Sequence, residues 1–179
     1  MARELWDVYS FDRRRTGRTA HRGDELGPGE YHMVVHTCVF DGRGRMLIQL
    51  RNPGKRSWAG RWDLSSGGCA LSGESSQEAA ARELREELGI EADFSGLRPV
   101  LTINFEKGFD DVFELEREPE QLRLRFQPEE VVDARWAALD EILAMLDSDE
   151  FVPYSPDFVR LLFDIRRYGA GLRRQEPDI

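Results

Sequence analysis

Residues 68–90, GCALSGESSQEAAARELREELGI, constrain this chain more than any other stretch. From Ser75 to Leu88 the pattern is helical: Ala79, Leu84 and Leu88 supply apolar positions and Gly89 supplies the stop. Glu83, Glu86 and Glu87 stand at i, i+3 and i+4, so they project from one helical face. Carboxylates gathered on one face repel one another. They also lie at the helix C-terminus, the wrong end of the macrodipole for negative charge. A hard cation removes both costs, and magnesium suits a few carboxylates combined with waters and substrate phosphates. Glu74 sits at the favourable end of the helix and is partly structural. Glutamate-rich helices are commonly solvated faces, but this one meets a stricter pattern. All nine defined positions of G-x5-E-x7-R-E-U-x-E-E-x-G-U are filled, U being aliphatic. Chance would do so on the order of once in a million for this composition.

The rest of the chain sets the frame for that helix. Its 179 residues predict one domain, large enough to bury roughly 70% of its unfolded surface. The net charge of −9 is local, since residues 128–157 hold nine acids and one base, Arg135. The remainder is nearly balanced, which argues against stable nucleic-acid binding. Cys38 and Cys69 make no disulfide framework or zinc knuckle. The start, MARELWDVYSFDRRR, carries no apolar stretch of signal-peptide length, and no run approaches the eighteen or so apolar residues of a membrane helix. The expectation is a cytoplasmic domain without membrane contact. Its 40% apolar and 10% aromatic residues are enough for a core.

Residues 1–30 read as a short strand and an irregular lead-in, with His21 in a loop. HMVVHTCVF (32–40) and MLIQL (46–50) around Asp41-Gly-Arg-Gly44 predict a β-hairpin. A loop over 51–60 and a short strand near Trp62–Ser66 precede the helix. Further strands are expected near Leu97–Glu106, Val112–Glu116, Leu122–Phe126 and Val131–Trp136, and helices over Asp140–Leu146 and Asp157–Tyr168, with Asp157 as cap. The tail from Gly169 is expected to fray. Strands and helices in this mixed order predict an α/β fold with a mixed sheet.

The pattern over residues 68–90 is the signature of the Nudix hydrolases, and the chain resembles that family. The resemblance implies an α/β/α sandwich over the domain at 31–168. It also implies Mg²⁺- or Mn²⁺-dependent hydrolysis of a small-molecule diphosphate, such as a nucleoside di- or triphosphate or a nucleoside diphosphate linked to another group. Position by position, Glu83, Glu86 and Glu87 would ligate metal or activate water, Arg82 would orient Glu83, and the carbonyl of Gly67 would be a further ligand. Family members are often dimers, so a homodimer is an admissible assembly. Metal-activated water attacking in line accounts for such a reaction through positioning and charge stabilisation. Arg51, Lys55 and Arg56, in the loop before the box, are candidate diphosphate contacts, with ordinary surface charge as the competing reading.

ELWDVYSFDRRRTGRT, RGDELGPGEYHMVVH and KRSWAGRWDLSSGG are similar to a Nudix branch related to isopentenyl-diphosphate isomerases. Those isomerases place a proton-transferring cysteine directly before the box glycine, in a pattern like N-x-x-C-G-H-P. Here that position is Gly67, and Cys69 falls where they carry a metal-binding histidine. Glu25 falls near their first metal histidine, and His32 matches the second. A backbone carbonyl cannot replace a thiol as an acid–base group. With the glutamates complete, the chain reads as a hydrolase on an isomerase-like frame, ahead of an isomerase or a ligand-binding module without turnover. Outside the box, Asp110, Asp111, Glu129 and Glu130 are candidates for an extra ligand or base, with solvated surface as the competing and leading reading for both pairs. Asp111 is preferred because it lies near an acidic position of the isomerases. Cys38 and Cys69 are expected as small buried residues, His32 and His36 as satisfied residues on one strand face, and Trp58 and Trp62 as anchors rather than base-stacking platforms.

Overall fold

The computed structural model describes residues 3–168; the tail from Gly169 lies outside the described residues. Two strands come first, β1 (Leu5–Tyr9) and β2 (Arg15–His21), followed by β3 (His32–Phe40), β4 (Met46–Arg51), β5 (Trp62–Asp63) and β6 (Ser66–Cys69). Helix α1 (Ser76–Leu88) leads to β7 (Leu101–Phe105), β8 (Gly108–Glu116), β9 (Val131–Ala137), α2 (Leu139–Asp147) and α3 (Pro156–Tyr168). The main sheet runs β5-β4-β3-β8-β7, with β6 also beside β3 and β9 also beside β4. Among the described strand pairs β3 and β8 run parallel and the others antiparallel, so the sheet is mixed, as expected.

Period-two alternation along the strands of the main sheet builds a core on each of its faces. Val35, Val39, Leu47, Phe109 and Phe113 face Ala79, Ala80, Leu84 and Leu88 of α1. Cys38, Phe40, Met46, Ile48 and Val112 point the other way, against Ile142 and Met145 of α2 and Val159 and Leu162 of α3. Helices on both faces of one sheet make the α/β/α sandwich. No helix among the described residues is long and apolar enough to cross a membrane.

The structure differs from the expected elements in several places; the short strand expected near Trp62–Ser66 is two, β5 and β6, and β8 begins at Gly108 rather than Val112. The lead-in contains a second strand, β2, which pairs with β1 and includes His21. Its sequence, RTGRTAH, has almost every residue exposed, so no apolar alternation marks it. Residues 122–126 form no strand. Leu122, Leu124 and Phe126 alternate toward the core, but the backbone of the segment turns to the end of α1, where Arg125 N–H donates to Leu88 O and Gln127 N–H to Glu87 O. The strand expected from Leu97 starts at Leu101, and α3 starts at Pro156, which leaves Asp157 in the first turn rather than at the cap.

The N-terminal hairpin is tied to the box. Tyr9 and Tyr31 exchange backbone bonds of 2.8 and 2.9 Å. The Asp7 carboxylate accepts from Ser72 Oγ (2.7 Å) and Gly73 N (2.9 Å), at the turn that precedes α1.

Candidate active site

Helix α1 is specified locally at both ends. Ser75 caps it in a reciprocal capping box with Glu78, and Gly89 ends it at φ 71°, a left-handed conformation that suits glycine. Between these ends the buried face presents Ala79, Ala80, Leu84 and Leu88 to the sheet, and Glu87 lies on the same face. Glu87 is 3% exposed, and its carboxylate accepts from Gly67 N and from Gln49 Nε2, both at 3.1 Å. Burial first, and then the neighbouring charge of Glu83, push Glu87 up to about 7. Glu83 is raised too, again by burial first, although Arg82 opposes the shift.

Gly67 and Gly68 lie against these side chains with no room to spare. A Cβ at Gly68 would stand 2.2 Å from Glu83 Oε1, and one at Gly67 would stand 2.3 Å from His36 Cδ2. Arg82 fixes the other side. It donates to Glu74 (2.8 and 3.0 Å), Glu83 (2.8 Å), Glu86 (3.2 Å) and the Cys69 carbonyl (3.0 Å), which occupies all five N–H groups of the guanidinium. Burial alone would weaken its charge, but the bonds to Glu74 and the charge of Glu83 outweigh that and hold it protonated. Glu74 has the structural part expected of it, since it also accepts from Leu71 N at 2.8 Å.

These groups line a cleft of about 130 Å³ together with Arg51, Lys55, Cys69, Glu130, Gln127, Glu4 and Arg22. Arg51 is held by Asp63 at 2.9 Å, and Lys55 is ion-paired with Glu130. Burial, followed by the charge of Arg51, lowers the Lys55 pKa.

Other expected residues fall elsewhere. Arg56 is exposed and does not line the cleft. The structure does not bring Asp111 to the glutamates: its buried carboxylate is taken by Arg13 (2.7 Å) and Thr102 (2.7 Å). Of the four outlying acids it is Glu130 that reaches the cleft, while Glu129 is exposed. Asp110 points to the opposite face of the sheet and pairs with His36 Nδ1 at 2.7 Å. His32 is satisfied by the Lys107 carbonyl (2.9 Å) and stacks on Trp6 at 4.8 Å. Cys38 is buried as expected, and burial pushes the half-buried Cys69 thiol up to about 12.

Sequence reasoning missed Gln49, Glu4, Arg22 and Gln127. Gln49 had a visible signal, a lone polar residue within the apolar run MLIQL. Glu4 and Arg22 had none, because the return of the N-terminal hairpin follows no periodicity.

The donor set fits a hard divalent cation in kind. It offers carboxylate oxygens next to the Gly67 backbone, and burial first, then the neighbouring carboxylates, raise Glu83 and Glu87 despite the nearby Arg82 and Lys55. No three His, Cys, Asp or Glu side chains among the described residues form a ready-made cation cage, and Arg82 holds Glu83 and Glu86 instead.

A carboxylate-bearing helix docked against a two-glycine strand in an α/β/α sandwich, facing a cationic loop, defines a class of phosphate-processing enzymes. The NUDIX domain matches residues 30–161, and the chain belongs to the Nudix hydrolase family. An uncharacterized Nudix hydrolase of Listeria monocytogenes is 45% identical over 163 residues, 91% of this chain and 95% of the relative. An isopentenyl-diphosphate Delta-isomerase of Citrobacter koseri is 28% identical over 165 residues, 85% of this chain and 87% of that one. A crystal structure of a Deinococcus radiodurans protein superposes with a TM-score of 0.73 at 25% identity, covering 88% of this chain and 98% of that chain. The chain is thus a pyrophosphohydrolase of a family that acts on small molecules and uses divalent metal ions.

Proposed function

We propose that this enzyme uses Mg²⁺ or Mn²⁺ to hydrolyse a diphosphate linkage in a nucleoside di- or triphosphate, or in a nucleoside diphosphate joined to another group. The observation that carries this reading is the position of Glu83 and Glu87 against the Gly67–Gly68 backbone, with Glu86 at the rim and Arg51 and Lys55 across the cleft. Glu83, Glu86, Glu87 and the Gly67 carbonyl would hold the cation, and Asp111 is not among them. The bound cation supplies charge neutralisation for the phosphates and acidifies water. Arg82 orients Glu83 and Glu86 from behind. Arg51 and Lys55 bind the anionic diphosphate and fix it for in-line attack by water, which is where most of the rate of such a reaction arises.

Isomerisation finds less support. The position of the isomerase thiol is Gly67, where His36 leaves no space for a side chain. The Cys69 thiol, at about 12, is a poor proton carrier near neutrality. The cleft also offers no apolar wall for a prenyl chain.

The test is incubation with Mg²⁺ and a panel of nucleoside di- and triphosphates, nucleotide sugars, dinucleoside polyphosphates and isopentenyl diphosphate, with products read by mass spectrometry. Metal-dependent cleavage between phosphates, lost in Glu86→Gln and Glu87→Gln, is the expected result. Undiminished cleavage in both variants would overturn the assigned roles.

A further inference from the structure

We infer that Tyr154, in the loop before α3, is a positioning residue that sets the cleft guanidinium of Arg51 through Asp63, and so governs how tightly the site holds a diphosphate. This rests on the diphosphate reading of the cleft. Arg51 belongs to the end of β4, and its guanidinium already makes three bonds: Nε and Nη2 donate to the Ser57 carbonyl (3.3 and 3.1 Å), and Nη1 donates to Asp63 Oδ2 (2.9 Å). A guanidinium has five N–H groups, so one on each Nη is left over, a fork suited to two phosphate oxygens. The direction of that fork is set jointly by the Ser57 carbonyl, which holds Nε and Nη2, and by Asp63, which holds Nη1.

Asp63 is 5% exposed, so its orientation depends on donors rather than on water. Oδ2 faces Arg51, while Oδ1 accepts from Leu64 N (2.8 Å) and from the Tyr154 hydroxyl (2.9 Å). The backbone donor, Leu64 N, is next in sequence to Asp63, so Tyr154 is the donor to Oδ1 that enters from a different part of the chain. Its ring is seated among Phe151 (6.3 Å), Phe158 (5.5 Å) and His36 (6.4 Å). Burial, followed by the charge of Asp63, raises its pKa well above the ordinary phenol range, so the hydroxyl stays a donor. His36 Nε2 approaches the same oxygen at 3.5 Å, and its Nδ1 is bound by Asp110. The hydroxyl is thus backed by an ion pair that spans β3 and β8. Without it Asp63 loses one of three donors, and the Arg51 fork keeps its Ser57 anchor but is held less firmly at Nη1.

Tyr154→Phe keeps the ring and removes only the hydroxyl. The probe is methylenediphosphonate with Mg²⁺, a diphosphate that cannot be cleaved, titrated calorimetrically into the full chain. Tyr154→Phe is expected to weaken binding about ten-fold. In an Arg51→Lys background the same change is expected to have no further effect, because the residue acts through the fork that lysine lacks. An equal loss in both backgrounds would indicate a merely structural role, and binding within two-fold of wild type would remove any role; either overturns the inference alone. Should Tyr154→Phe melt early, Asp63→Asn breaks the same link from the other side and must show the same dependence on Arg51. A wild-type chain that binds no methylenediphosphonate with Mg²⁺ would overturn the diphosphate reading and this inference together.

Discussion

At the scale of single residues, the site holds carboxylates in a place that disfavours their charge. Glu87 is buried and pushed up to about 7, above the ordinary carboxyl range near 4.5. In the metal-free protein the fold therefore binds this proton more tightly than the unfolded chain does. That contribution is fully present below about pH 4.5 and is lost as pH rises through 7, a change of up to about 3 kcal/mol. In a chelator at pH 8, Glu87→Gln is expected to melt at a higher temperature than wild type, and its melting temperature should depend less on pH between 5 and 8. A Gln variant less stable than wild type at pH 8 would contradict this origin of the shift. Mg²⁺ should raise the wild-type melting temperature more at pH 8 than at pH 6, since a metal-bound carboxylate must be deprotonated; equal shifts would count against Glu87 as a ligand. Gly67 is the second sensitive position. The neighbour that its Cβ would meet, His36, is pinned by Asp110 and cannot easily yield. Gly67→Ala is expected to cost about 1–3 kcal/mol in chemical denaturation and to lower turnover. A neutral substitution would mean that the strand can move away from His36.

At the scale of elements, what was legible was what is local. Helix α1 carries its own cap, apolar face and glycine stop, and it was bounded to within a residue. The β3–β4 hairpin was equally plain from two β-branched runs around a glycine turn. Two of the errors, at 122–126 and at β2, share one cause, backbone partners remote in sequence. Residues 122–126 alternate like a strand, yet they spend their hydrogen bonds on the last carbonyls of α1, and β2 is a strand only because β1 pairs with it. This junction predicts that Gly89 does two things. It takes the left-handed turn, and its missing Cβ admits the Arg125 backbone, whose N and O would otherwise lie 3.0 and 3.1 Å away. Gly89→Ala is expected to destabilise the protein by about 1–3 kcal/mol and to speed amide exchange at Arg125 and Gln127. Unchanged exchange there would show that the segment is held independently of the helix end.

At the scale of the whole molecule, the cleft is assembled from pieces that only topology brings together: the N-terminal hairpin, the loop after β4, the β6 glycines, α1 and the segment before β9. The box identified the centre of that assembly but not its rim. Asp111 and Glu130 illustrate the limit. A single step of strand parity on β8 turns Asp110 toward α3 and Asp111 toward α1, where Arg13 from the N-terminal hairpin claims it. Glu130 reaches the cleft because the β4–β9 pairing is irregular between Leu50 and Arg51, and Asn52 N–H donates to the Glu130 carbonyl at 2.8 Å. Neither outcome could be read from spacing along the chain.

In the proposed reaction water attacks phosphorus at a cation held by the α1 glutamates. The most direct measurement is a turnover in H₂¹⁸O with Mg²⁺, using a nucleoside triphosphate and a nucleotide sugar, with the label followed by mass spectrometry. One ¹⁸O is expected in a phosphate-containing product, with turnover lost in Glu87→Gln and in chelator. Product without ¹⁸O, or label incorporated at the same rate in Glu87→Gln, would contradict it.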